Sequence, residues 1–178
     1  SMASTVRANP SAGFSIVQWT GTATAGTVGH GLGAKPELLI LKNYGESADW
    51  MVWHSAFGSA GSGEHLSLNT TDAKGSPTSR ALWNNTLPTN SVFSIGSDGH
   101  VNSSGKGIVA YCFTPVAGYS AFGSYGSSSA FVYTGFRPAF LLLKSTSSNR
   151  NWILIDSARD QFNAADAVLL PNSNSAED

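Results

Sequence analysis

The chain has 178 residues, enough for one domain or two small ones with a core of their own. Charged residues make up 12% of it, about half the usual share, and the formal net charge is -1 with no run of Lys or Arg. That balance excludes the electrostatic footprint of a nucleic-acid or anionic-membrane binder, and no apolar run is long enough to span a membrane.

Along the chain the apolar runs are short, rich in β-branched and aromatic residues, and divided by Gly, Ser, Asn and Pro clusters, the pattern of an all-β protein. Ser1-Met2 reads as a cloning remnant, and 1–12 as a remnant and lead. Strands are expected over 14–19, 38–42, 50–54, 65–69, 91–95, 108–113, 119–125, 140–144 and 152–156. No helix of ordinary length is evident, and 157–169 is given at most a short turn. The runs "LLILK" and "WMVWH" are apolar on both faces, so each needs a covering layer, which requires a sandwich. Between them "NYGESAD" supplies turn formers for a hairpin. Further on, "SVFSIGSDGHVNSSGKGIVAYCF" reads as a second hairpin completing a sheet. Cys112 stands alone, so no internal disulfide is possible, and it reads as a buried, inert thiol.

About a hundred residues separate two similar stretches, "GAKPELLILKNYGESADWMVWHSA" from Gly33 and "GFRPAFLLLKSTSSNRNWILIDSA" from Gly135. Aligned without a gap, Pro36 meets Pro138, Lys42 meets Lys144 and Trp50 meets Trp152. A period this long exceeds that of ordinary solenoids, so the unit is either a duplicated small β-domain or one half of a pseudo-symmetric sandwich. Packing the two hairpins across a core would bury Trp50, Trp53 and Trp152, at roughly 1.5–3 kcal/mol for each fully buried large side chain. The expected fold is an antiparallel β-sandwich, jelly-roll-like, of two related copies: 13–117, and 118–178 lacking its last strands. An open sheet edge recruits another strand, so either the chain is cut within the repeat or a neighbouring chain fills the gap.

The strings "GFSIVQWTGT", "TVGHGLGAKPELLILKN", "DWMVWHSA", "WNNTLPTNSVFSIG", "VNSSGKGIVAYCFTPVAGYSAFGSY", "FVYTGFRPAFLLLKS" and "NWILIDSARD" together resemble a duplicated β-domain of tail-fibre-like and minor virion proteins of tailed bacteriophages. The resemblance covers nearly everything from Gly13 onward. It implies a structural virion component at or near the tail, made in the bacterial host cytoplasm and touching the host surface, with no catalytic residues or cofactor to carry over. Expected partners are other virion and tail proteins, further copies of the chain and host-surface glycan, without nucleic acid or membrane insertion.

No constellation reads as a catalytic centre. Gly29, Gly31 and Gly33 around His30 lack the spacing and the following helix of a phosphate loop, and their glycines serve a tight turn. Ser103 and Lys106 fit S-x-x-K without its helix or companion motifs. His30, His54, His65 and His100 never approach metal-ligand spacing. Asp49, Glu64, Asp72, Asp98, Asp156, Asp160 and Asp166 could include a carboxylate pair for glycoside hydrolysis, but Asp156 with Arg159 and Asp160 reads as a strand-end hydrogen-bond cluster. A sugar-binding surface is the more informative reading, because a flat ring stacks on a pyranose while amides and hydroxyls take its hydroxyl groups. Trp83, Asn84 and Asn85 in "LWNNT" are the first candidates, then Tyr44 and Tyr125, with Trp83 as a plug at the sandwich end the competing reading. The expected function is therefore non-covalent attachment within a tail fibre. A polysaccharide-degrading tail enzyme and a ligand-free scaffold are the alternatives.

Overall fold

Alternating burial sets the central strands. In β2 (Phe14–Thr20), Ser15, Val17 and Trp19 are buried while Phe14, Ile16 and Gln18 turn to the other face. The computed structural model describes residues 1–57, 63–76, 80–126, 131–159 and 166–177. The remaining elements are β1 (Ser4–Asn9), β3 (Gly26–Gly29), β4 (Leu38–Asn43), β5 (Met51–His54), β6 (Leu66–Ser67), β7 (Val92–Ile95), a single helical turn α1 (Gly99–Asn102), β8 (Gly107–Phe113), β9 (Phe140–Leu143) and β10 (Ile153–Asp156). The fold is all-β, and every strand pairing is antiparallel.

Six strands form one sheet in the order β1-β2-β8-β4-β5-β6, and β3 pairs with β7 in a second layer. Between them lies the main core. Val17, Trp19, Leu39, Leu41, Met51, Trp53, Ile108, Ala110 and Cys112 from the large sheet meet Val28, Phe93 and Ile95 from the small one, with Trp19 edge-on to Phe93 at 5.7 Å. The outer face of the large sheet is apolar too, as "LLILK" and "WMVWH" foretold. There Val52 and Leu66 are buried with Trp152, and Leu38, Ile40, Leu68 and Leu142 pack around them. The hairpin β9–β10 thus covers the outer face as a third layer.

Several expectations need correction. The segment 1–12 carries the edge strand β1, paired with β2 from Ser4↔Trp19 to Asn9↔Phe14. The chain reverses through a turn in which Asn9 caps Ala12 and Gly13 adopts a φ of +64°, where a Cβ would fall 2.3 Å from the Thr114 carbonyl oxygen. β7 and β8 are no hairpin: β7 joins β3 in the small sheet while β8 sits between β2 and β4 in the large one. Residues 119–125 form no strand, Ser120 making only an isolated bridge to Val116. Trp53 and Trp152 lie in different cores, and Trp50 is half-buried, stacked on Tyr111 at 6.3 Å. Asp160 and Asp178 lie outside the described residues.

Candidate ligand-binding surface

Of the two roles expected for Trp83, a sugar platform or a plug of the sandwich, the fold selects the plug. Trp83 is 3% exposed, and its indole N–H donates to the Glu64 carbonyl at 2.6 Å, so it fills the core and offers no face to a ligand. Beside it Asn84 and Asn85 sit in an exposed turn with φ of 50° and 48°, a conformation asparagine tolerates. Tyr44 is 58% exposed at the end of β4, its ring laid against Gly107, where any Cβ would strike it. One ring face rests on backbone. Tyr125, also 58% exposed, belongs to the segment after β8. No ring contact among the described residues joins Tyr44, Trp83 and Tyr125 into one site.

A second surface lies in "FVYTGF", residues 131–136. Phe131, Val132 and Tyr133 are 90, 53 and 83% exposed. With Thr134, Gly135, Phe136 and Pro138 they line an open cleft of about 440 Å³. Large rings are usually well buried, and a contiguous exposed apolar patch marks a binding surface more often than a lone exposed side chain does. Gly135 turns the chain with a φ of +81°, and the Thr134 hydroxyl donates to the Phe136 carbonyl at 2.7 Å, which fixes the loop and leaves the Thr134 oxygen as an acceptor. The cleft combines two open rings, a phenol and a held hydroxyl. The signal is present in the sequence as three aromatics within six residues between Gly/Ser-rich and Pro-containing segments.

Several ionisable residues are committed elsewhere. His30, fully buried, accepts the Leu32 N–H on Nδ1 at 3.3 Å, so Nε2 carries the proton and donates to the Thr89 carbonyl at 3.1 Å. Asp98 caps α1 through the His100 N–H and also meets the His100 ring at 2.9 Å and Arg80 at 3.4 Å. Burial pushes its carboxyl upward, but the hydrogen bonds from His100 and the His100 and Arg80 charges together hold it below the usual carboxylate range. Asp156 is held down first by the Arg159 guanidinium, then by backbone N–H groups of Arg159 and Ala158. Glu64 pairs with Lys74. Cys112 is fully buried, and desolvation drives its thiol up to about 12 against a weaker pull from the Ser15 hydroxyl, as an inert thiol requires. Among the described residues no three His, Cys, Asp or Glu side chains gather to hold a metal, and no helix is long and apolar enough to cross a membrane.

A family model described as "Domain of unknown function (DUF7483)" matches residues 1–178. No curated protein and no solved structure matches the chain.

Proposed function

The chain belongs to the DUF7483 family, and we propose, from the sequence resemblance and the exposed cleft, that it is a non-covalent glycan-binding module of a phage tail fibre or related virion protein. The observation that carries the binding part is the cleft of residues 131–138, with the Phe131 and Tyr133 rings 90 and 83% exposed. Such rings offer flat apolar faces to a pyranose, and the Tyr133 and Thr134 oxygens offer hydrogen bonds to its hydroxyls. The neutral, hydroxyl-rich composition suits an uncharged ligand better than an anionic one. The virion setting is supported by the sequence resemblance alone. Binding is favoured over hydrolysis because Glu64, Asp98 and Asp156, three of the candidate carboxylates, are each paired with a cation and none lines the cleft.

The test is a titration of bacterial surface polysaccharides followed by NMR of the Phe131 and Tyr133 ring signals. Wild-type protein is expected to bind, and Phe131→Ala and Tyr133→Ala each to weaken binding about tenfold, the effect of losing roughly 1.4 kcal/mol of contact. A panel that leaves those signals unmoved rejects the glycan reading. Release of new reducing ends would favour the polysaccharide-degrading enzyme instead.

A further inference from the structure

Asp49 carries a charge that its own hairpin does not need. In the turn ahead of β5 its Oδ1 accepts the Asn69 Nδ2–H at 2.9 Å, and in the related hairpin Asn151 Oδ1 accepts the Asn172 Nδ2–H, also at 2.9 Å. An amide oxygen therefore serves that bond as a carboxylate does. The second oxygen of Asp49, Oδ2, faces Nε2 of His100 at 3.9 Å. Across the same ring, Nδ1 stands between Asp98 Oδ1 at 2.9 Å and the Arg80 guanidinium at 3.0 Å, and Arg80 also reaches Asp98 Oδ2 at 3.4 Å. Glu46 is engaged by the Asn43 side-chain amide at 2.9 Å and lies near the backbone of Gly99. Among the described residues, Asp49, Arg80 and Asp98 are the charged groups that face the ring.

A ring nitrogen carries either a proton or a lone pair, so Nδ1 can satisfy Arg80 or Asp98 but not both at once. With a proton on Nε2 alone, Nδ1 accepts the Arg80 N–H, and the guanidinium offsets the Asp98 charge. With both nitrogens protonated, the ring donates to Asp98 and turns its other N–H toward Asp49, while its positive charge stands 3.0 Å from Arg80. Two cations that close repel each other. The charged ring has a carboxylate at each nitrogen, whereas Arg80, its side chain 35% exposed, has water to turn into. Burial raises the Asp98 carboxyl, but the hydrogen bonds from His100 and the neighbouring charges hold it below the usual range, so it stays an anion where histidine titrates. Histidine is the side chain whose charge ordinarily changes between about pH 5 and about pH 8. We propose that His100 is a proton-operated latch: neutral, it holds Arg80 through Nδ1; protonated, it takes Asp98 and Asp49 for itself and releases the Arg80 side chain. Release is confined to that side chain, because the Asp98 N–H still donates to the Ala81 carbonyl at 3.1 Å and the His100 N–H to Asp98 Oδ1 at 2.9 Å. Acid thus frees a surface cation at this end of the sandwich without unfolding it.

The latch does not use the 131–138 cleft and stands or falls apart from the glycan reading. Nitrogen-15 NMR of the full chain from about pH 8 to about pH 5 is expected to begin with Nε2 protonated and Nδ1 bare. As the ring gains its second proton, hydrogen exchange of the Arg80 side chain, measured against free arginine at each pH, is expected to lose protection at least about tenfold with the same midpoint. Asp49→Asn keeps the hairpin bond that Asn151 makes in the other hairpin, and is expected to move both midpoints together toward lower pH, because a carboxylate that favours the charged ring is gone. His100→Gln, with no charge to gain, is expected to remove the step in Arg80 exchange. Amide protection in β2 and β8 should hold through the transition, which separates release from unfolding. Arg80 signals that stay unmoved while His100 titrates overturn the proposal, and so does a proton found on Nδ1 at about pH 8. Midpoints that part company in Asp49→Asn overturn it too, and that variant decides the matter if His100→Gln fails to fold.

Discussion

His30 carries a pH dependence whose sign its geometry sets. Its ring has no exposed surface, its Nδ1 accepts the Leu32 N–H, and a second ring proton would point at that donor. Burial holds the imidazole below its ordinary 6.5, outweighing the Thr89 carbonyl, which favours the charged form. The unfolded chain, near 6.5, therefore takes up the proton first. Stability from neutral His30 is complete above pH 6.5 and is lost as pH falls from there through the lower folded value. His54 adds the same sign, with burial the larger influence and Glu37 opposing it. The melting temperature is expected to fall on acidification below pH 6.5, and to fall less steeply in His30→Gln. An equal slope in the variant would assign the effect to another group. Nothing in "VGHGLG" announced this role, since a sequence shows a histidine but not the carbonyl and N–H that close on it from loops 59 and 2 residues away.

At the scale of elements, most strands were legible because β-branched and aromatic runs between turn formers leave little alternative. Those missed lacked that signal. β1 is "STVRAN", polar and mostly exposed, and becomes a strand because β2 presents a free edge to it. β3 is "GTVG", two of its four residues glycine, held by β7 opposite. The expected β7–β8 hairpin fails at the helical turn between them. Asn102, fully buried at the end of α1, accepts the Thr22 N–H at 2.8 Å and donates to the Thr24 and Gly96 carbonyls at 2.8 and 2.7 Å. One side chain thus ties the ends of β2 and β7 to α1 and steers the chain from the small sheet into the large one. Asn102→Ala leaves the buried Gly96 carbonyl unpaired and releases the part-buried Thr22 N–H and Thr24 carbonyl, at roughly 1–3 kcal/mol for each group that water cannot reach. Denaturant unfolding is expected to show a loss of about 3 kcal/mol; a loss below about 0.5 kcal/mol, typical of a surface change, would contradict this account.

Across the whole molecule, the largest consequence of the fold is that the first hairpin feeds two cores, the sandwich interior on one face and the contact with the second hairpin on the other. The two hairpins pack back to back, Leu142 and Trp152 of the second against Leu38, Ile40 and Val52 of the first, and Trp152 anchors the contact by donating its indole N–H to the Ser67 carbonyl at 2.9 Å. Trp152→Ala removes a large buried ring, a change that costs about 3–5 kcal/mol in a well-packed site. Because the main sandwich has its own core, the expected result is local. Amide protection should drop in β9 and β10 and persist in β2 and β8, and equal loss everywhere would mean that the layers unfold as one.

The candidate site divides along the same line. The tryptophan singled out is buried, while Tyr44 and Tyr125 are exposed but apart, and the most exposed rings are Phe131 and Tyr133, because hydrophobicity says that a ring wants burial without saying which rings find room. By itself the sequence determined the all-β class, the hairpins of 38–42 with 50–54 and 140–144 with 152–156 to within a residue at each end, the inert cysteine and the need for cover on both faces of the first hairpin. These follow from local pattern and turn chemistry. Only the tertiary structure decided which layer covers which face and that β7 and β8 part company, since each depends on contacts between residues far apart in the chain that no local pattern encodes.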